Sequence, residues 1–224
     1  MEKTYVIIPC LNEEKNIGRA VNNLKKEGYS NVIVVDDGSD DKTYDTAKSN
    51  GAIALRHIIN RGQGAALQTG MTYALKQGAE YIVHFDGDNQ HDSREIKNLL
   101  APLIAGEAEA ALGSRFMRKQ EIPLLRKIML KGSIIVVWVF YGIKLTDAHN
   151  GFRALTRSAA KKTILTTDRM EHASEIVERI KKSKIKYKEI PVTIKYSKET
   201  LQKGQSNLDS LKILFKMIMK KLGE

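Results

Sequence analysis

Asp86, Asp88 and Gln90 follow one another at spacing i, i+2, i+4 directly after the apolar run Tyr81-Ile82-Val83-His84-Phe85. Where an extended backbone turns, two carboxylates and an amide oxygen spaced in this way can converge on one hard divalent cation. Mg²⁺ held so takes one or two protein carboxylates and completes its shell with substrate phosphates and water. A second acidic stretch, Asp36-Asp37-Gly38-Ser39-Asp40-Asp41, follows Val32-Ile33-Val34-Val35. Ser39 or Asp41 could cap a helix starting near Lys42, but four carboxylates in six residues exceed what capping needs. Ionising all of them requires hydrogen-bond donors or a cation close by. In a third stretch, Asn60-Arg61-Gly62-Gln63-Gly64-Ala65-Ala66, two glycines open a helix. They let backbone approach a ligand, and a helix N-terminus favours phosphate oxygens. Each stretch taken alone reads equally well as a polar turn.

The elements that must carry these groups are legible as β-branched runs alternating with amphipathic stretches. Thr4 to Pro9, Val32 to Val35, Ala52 to Leu55, Tyr81 to Phe85 and Ala108 to Leu112 read as buried strands. Helices are expected over about Lys15 to Glu27, Ala65 to Gln77 and Ser93 to Ala105, the first with Ile17, Ala20, Val21 and Leu24 on one face. Strand and helix in strict alternation predict an α/β fold with a doubly wound, mostly parallel sheet. Three of the strands end in polar clusters, and in such sheets ligands bind outside the carboxyl ends of the strands. The clusters therefore point to one shared crevice.

With 224 residues, 42% of them hydrophobic and 28% charged, the chain can bury a substantial core as one domain with an extension. The lone cysteine, Cys10, excludes an internal disulfide framework and fits a reducing compartment. Met1 runs almost at once into a strand, so no secretory signal peptide is expected, and no apolar stretch reaches the roughly 18–20 residues of a spanning helix. The net charge is +11 and uneven: Arg179 to Glu224 carries 13 Lys or Arg against 4 Asp or Glu. Within that tail, Leu211, Leu214, Phe215, Ile218 and Leu222 recur at helical spacing while Lys212, Lys216 and Lys220 occupy another face. This pattern suits an anionic leaflet, or a helix packed on the domain with a solvated Lys face. Leu124 to Gly142 offers the same choice, setting Arg126, Lys127 and Lys131 beside an apolar run that contains Trp138 and Tyr141. Nucleic acid would satisfy the basic tail but leaves acids at three strand ends unexplained.

Taken together, Ile8-Pro9-Cys10-Leu11-Asn12-Glu13-Glu14, Val35 to Asp41, the Gly62/Gly64 loop and Phe85-Asp86-Gly87-Asp88-Asn89-Gln90-His91 resemble the successive motifs of family 2 glycosyltransferases with the GT-A fold. Asp147-Ala148-His149-Asn150-Gly151-Phe152-Arg153 resembles the Asp-x-x-x-Gly-Phe-Arg segment of the dolichol-phosphate mannose synthase branch. The resemblance implies that Pro9, Asn12, Glu13, Asp36, Asp37 and Ser39 serve the nucleoside and that Gly62 and Gly64 face the diphosphate. It implies Mg²⁺ or Mn²⁺ on Asp86, Asp88 and Gln90, and Asp147, Arg115, Arg153 and Glu175 on the acceptor side. His172, beside Glu175, has no partner in sequence that would make it a proton carrier. Tyr196 to Asn207 resembles the Tyr-Ser…Lys-Gly-Gln-Ser-Asn loop of bacterial and archaeal members, with Lys203 reaching a phosphate.

The implied activity is inverting, metal-dependent transfer from a UDP- or GDP-sugar to a polyprenyl phosphate, by an enzyme on the inner face of the cell membrane with a possible membrane-protein partner and no nucleic acid. The alternative is transfer to a hydroxyl in cell-envelope polysaccharide synthesis, for which a carboxylate such as Asp147 takes the proton. The expected organisation is a catalytic domain over 1–206, divided at 115 into a nucleotide-sugar half and an acceptor half, with a basic amphipathic helix over 207–224.

Overall fold

The computed structural model describes residues 3–120 and 122–195; the Tyr196–Asn207 loop with Lys203 and the expected C-terminal helix lie outside the described residues. In chain order the elements are β1 (Thr4–Cys10), α1 (Glu14–Lys26), β2 (Asn31–Asp36), α2 (Thr43–Ser49), β3 (Ile53–Arg56), α3 (Gln63–Lys76), β4 (Tyr81–His84), α4 (Ile96–Ile104), β5 (Ala110–Ser114), α5 (Leu124–Tyr141), β6 (Arg153–Thr156), α6 (Arg157–Lys162), α7 (His172–Lys182) and β7 (Tyr187–Pro191). The described residues form one seven-stranded sheet in the order β3-β2-β1-β4-β6-β5-β7.

Alternate residues of each central strand feed two separate cores. Ile7, Ile33, Val35 and Ile82 pack with Ala66, Leu67 and Met71 of α3 and Ile176, Val177 and Ile180 of α7. Val6, Ile8, Val32, Val34 and Val83 pack instead with Ile17, Val21 and Leu24 of α1 and Ile96, Leu99 and Leu103 of α4. A sheet covered on both faces needs apolar side chains on both, which is why these strands read as unbroken runs rather than alternating ones.

The sheet departs from purely parallel at one strand. β6 runs antiparallel to both β4 and β5, with His84 opposite Arg153, so its first residues arrive where the other strands finish. Two smaller differences from the sequence reading have local causes. The helix expected from Ser93 begins as a 3₁₀ turn, Ser93–Glu95, capped by the Asp92 side chain accepting from Arg94 N–H. The unanticipated α6 follows β6 without a loop, and Thr156 caps it by accepting from Ala159 N–H at 3.2 Å.

Candidate active site

The acidic stretch after β2 is consumed within the chain. Asp36, fully buried, takes the Ser39 backbone N–H at 3.0 Å and the Ser39 hydroxyl, and Arg56 Nε lies 3.2 Å from its other oxygen. Ser39 in turn accepts from Asn12 N–H at 2.9 Å, and Asn12 Oδ1 accepts from Asp40 N–H at 3.0 Å. Asn12 adopts φ 55°, which turns the chain sharply out of β1. Asp41 accepts from Thr43 N–H at 2.9 Å and Glu14 N–H at 3.1 Å, so it caps α2 from one position upstream and binds α1 as well. Donors within the chain meet these charges. Through these contacts Asp36, Ser39 and Asn12 tie the β1–α1 turn to the β2–α2 turn.

Asp37 performs the same service for the glycine loop. Its oxygens accept from Gly62 N–H at 2.6 Å and Arg61 N–H at 3.1 Å, and His57 Nδ1 lies 2.7 Å away. The need for glycine at 62 and 64 also comes from inside the chain. A Cβ at Gly62 (φ 120°) would sit 2.5 Å from Asp168 O, and one at Gly64 would sit 2.2 Å from Thr167 O. The backbone that approaches these glycines belongs to the α6–α7 connection, a contact that the sequence did not indicate. Glu175 holds that connection in place. It accepts from the backbone and hydroxyl groups of both Thr166 and Thr167 and from Arg179. Burial pushes its carboxyl up, but these donors win and bring it down to about 2.

The group after β4 is arranged differently. Asp86 Oδ1 accepts from Gln63 Nε2 at 3.2 Å, and Oδ2 lies 2.8 Å from His91 Nε2. Burial raises the Asp86 carboxyl, but His91 and the more distant His172 and Arg153 leave it below its ordinary value. Among the described residues Asp88 takes a single hydrogen bond, from Gln90 N–H at 3.0 Å. Burial and the Asp86 charge beside it push Asp88 up to about 6. Gly151, carried in by β6, lets Asp86 stand clear, since a Cβ there would meet Asp86 Oδ2 at 2.9 Å. Two crowded hard-oxygen donors with a Gln amide four residues along fit a divalent cation. Among the described residues no group of three or more His, Cys, Asp or Glu is arranged to hold a metal.

Three arginines share a cavity with these acids. Asp86, Asp88, Gln90, Glu13, Arg115, Arg126, Arg153, His149 and His172 line a cavity of about 280 Å³. A neighbouring cavity of about 350 Å³ shares Pro9, Leu11, Gln63 and Met170 with it and adds Asp37 and Gly62. Asn12, Asp36, Ser39, Gly64, Asp147 and Glu175 line neither. Asp147 is buried behind Arg115, whose Nε donates to Asp147 Oδ2 at 2.6 Å and whose backbone N–H donates at 3.1 Å. It orients the guanidinium rather than facing the cavity. Arg153 donates to Ala148 O and Ala173 O, both at 3.3 Å, and burial brings it down to about 10. Arg126, expected on an interfacial helix, and His149, with no task expected, both line the cavity; Pro123 at the N-cap of α5 places Arg126 in the first turn of that helix.

Residues 5–164 match the model of the glycosyl transferase family 2, and the chain belongs to that family. It is a glycosyltransferase with the GT-A fold. It is 34% identical over 242 residues to the UDP-N-acetylglucosamine–dolichyl-phosphate N-acetylglucosaminyltransferase of Methanococcus voltae, covering 98% of this chain and 96% of that one. It is 28% identical to the dolichol-phosphate mannosyltransferase of Pyrococcus furiosus, over 96% of this chain and 64% of that one. Its fold is similar to glucosyl-3-phosphoglycerate synthase from Mycobacterium tuberculosis in complex with Mn²⁺ and UDP-glucose, with a TM-score of 0.73 at 16% identity over 98% of this chain and 77% of that one.

Proposed function

We propose that the enzyme transfers a sugar from a UDP-sugar, with N-acetylglucosamine the first donor to test, to a polyprenyl phosphate. One observation carries the acceptor class. The cavity brings Asp86 and Asp88 together with Arg115, Arg126 and Arg153, while Asp147 and Glu175, two of the carboxylates that could deprotonate a hydroxyl, line no part of it and accept from Arg115 and Thr166 instead. A phosphate oxygen is already anionic near neutral pH and needs cations to position it rather than a base. The full-length likeness to the Methanococcus voltae dolichyl-phosphate enzyme supports both this acceptor and the UDP donor.

In this reading Asp86, Asp88 and Gln90 would hold Mg²⁺ or Mn²⁺, and the ion would supply Lewis-acid stabilisation of the leaving nucleoside diphosphate. Pro9 and Leu11, around the adjoining cavity, receive the nucleoside, and Asp37 holds the Gly62 loop beside them. Arg115 and Arg153 direct the acceptor phosphate at the anomeric carbon from the side opposite the leaving group, so that one displacement inverts the configuration. α5 brings the enzyme to its lipid substrate. Leu124, Ile128, Ile135, Trp138 and Val139 are exposed along it, while Val137 is buried and Ile134 and Tyr141 pack on the core. With Lys127 and Lys131 on the same helix, that stripe suits the surface of an anionic leaflet. Among the described residues no helix is long and apolar enough to cross a membrane.

Transfer of label from UDP- and GDP-sugars to short polyprenyl phosphate, with Mg²⁺ or Mn²⁺ and with EDTA, tests the whole reading. Metal-dependent, lipid-extractable label from UDP-N-acetylglucosamine is the expected result. Slow donor hydrolysis without any lipid product would overturn the acceptor assignment and leave the donor site standing.

A further inference from the structure

Three histidines, His84, His149 and His172, surround Arg153, and burial, reinforced by that guanidinium, brings them down to about 3, 4 and 4 respectively. All three are neutral imidazoles across the physiological range, so each presents one N–H donor and one bare nitrogen. Their bare or free nitrogens differ in placement. His84 Nε2 and His149 Nδ1 are sealed in the interior without partners. His172 lines the cavity, and its Nδ1 lies 2.8 Å from Arg169 O. A carbonyl only accepts, so Nδ1 carries the proton and Nε2 is left as a fixed acceptor with no hydrogen bond among the described residues.

Arg115, Arg126, Arg153 and Gln63 are donors lining the same cavity, and Asp86, Asp88 and Glu13 are its carboxylates, so His172 Nε2 is a neutral ring acceptor among charged groups. We propose that His172 is a specificity-determining residue that accepts a hydrogen bond from a hydroxyl or acetamido N–H of the donor sugar. The inference rests on the sugar-transfer reading above, because the cavity between the metal-side acids and the acceptor-side arginines is where that reading places the sugar ring. A neutral nitrogen suits this task better than a further carboxylate, which would bind the cation or salt-bridge an arginine. A ligand lacking the matching donor would leave Nε2 buried and unpaired.

Two substitutions separate recognition from scaffolding. His172→Asn puts an amide near Nδ1, keeping the donor to Arg169 O and losing the far acceptor. His172→Gln puts an amide oxygen near Nε2, keeping the acceptor and losing the anchor. With UDP-sugar and polyprenyl phosphate, His172→Asn is expected to lower kcat/KM roughly tenfold to a hundredfold, with UDP affinity by calorimetry unchanged, and His172→Gln to retain most of the activity. A series of deoxy-sugar donors should contain one position whose removal costs the wild type as much and costs His172→Asn nothing further. The assignment is overturned by activity surviving in His172→Asn and lost in His172→Gln, by UDP affinity falling in step with transfer, or by losses that add at every deoxy position. If the wild type neither transfers nor hydrolyses any nucleotide sugar while remaining folded, the underlying sugar-transfer reading fails instead.

Discussion

The acids after β2 and the acids after β4 look alike in sequence and lie on the same edge of the same sheet, yet they do opposite work. Asp36, Asp37 and Asp41 spend their lone pairs on Ser39, Gly62, Arg61, Thr43 and Glu14 of their own chain. Among the described residues Asp88 accepts from Gln90 N–H alone, and it lines a cavity. A carboxylate whose hydrogen bonds are met by backbone builds the site, and one that is left crowded and unmet is available to a ligand. The pKa directions carry the same distinction, because Glu175 is held down to about 2 by donors while Asp88 is pushed up to about 6 by burial and a like charge.

The contrast is broken most directly by Asp88→Asn. Asn retains an oxygen for Gln90 N–H but removes the charge, so transfer should fall by on the order of a thousandfold while the thermal midpoint stays within about 2 °C or rises. A variant that kept its activity, or that unfolded, would place Asp88 among the structural acids. Asp147→Asn is the converse. It leaves the buried Arg115 guanidinium short of its counter-charge, and a loss of about 3 kcal/mol in urea denaturation is expected. Should stability hold and only hydroxyl-acceptor transfer fail, Asp147 would be a base after all. Asp37→Asn sets an amide N–H against the Gly62 or Arg61 N–H. It should lose about 1–3 kcal/mol and weaken UDP binding through the loop, whereas undiminished stability would mean that the loop is held by other contacts.

The sheet, its flanking helices and its carboxyl edge were legible because runs such as Val32 to Val35 and Ile82 to Phe85 have the signature of strands covered on both faces. The turn that carries Asp86, Asp88 and Gln90 was legible for the same local reason: strand and turn lie within ten residues. What the sequence hid was which lone pairs distant backbone would consume. Glu175 is spent on Thr166 and Thr167, and Gly62 and Gly64 make room for Asp168 and Thr167 about a hundred residues further along. Residue type alone shows the capacity for a contact but not its partner. The antiparallel β6 was hidden likewise, since a short apolar strand carries no mark of its direction, and it is β6 that delivers Gly151 and Arg153 to the site.

The smallest effect sharpens the comparison through its sign. An unfolded Asp titrates near about 3.9 and an unfolded Glu near about 4.3. Asp88, raised in the folded state to about 6, binds its proton more tightly when folded, so stability falls as pH rises from about 4 to about 6. Glu175, lowered to about 2, contributes stability that is present above about 4.3 and lost as pH falls towards 2. Urea unfolding of the enzyme without added divalent cation, followed across pH 2 to 7, should therefore show Asp88→Asn flattening the decline between about pH 4 and 6. Glu175→Gln should flatten only the acid limb. If both substitutions altered the same limb, the distinction between an acid that builds the site and one that serves it would collapse.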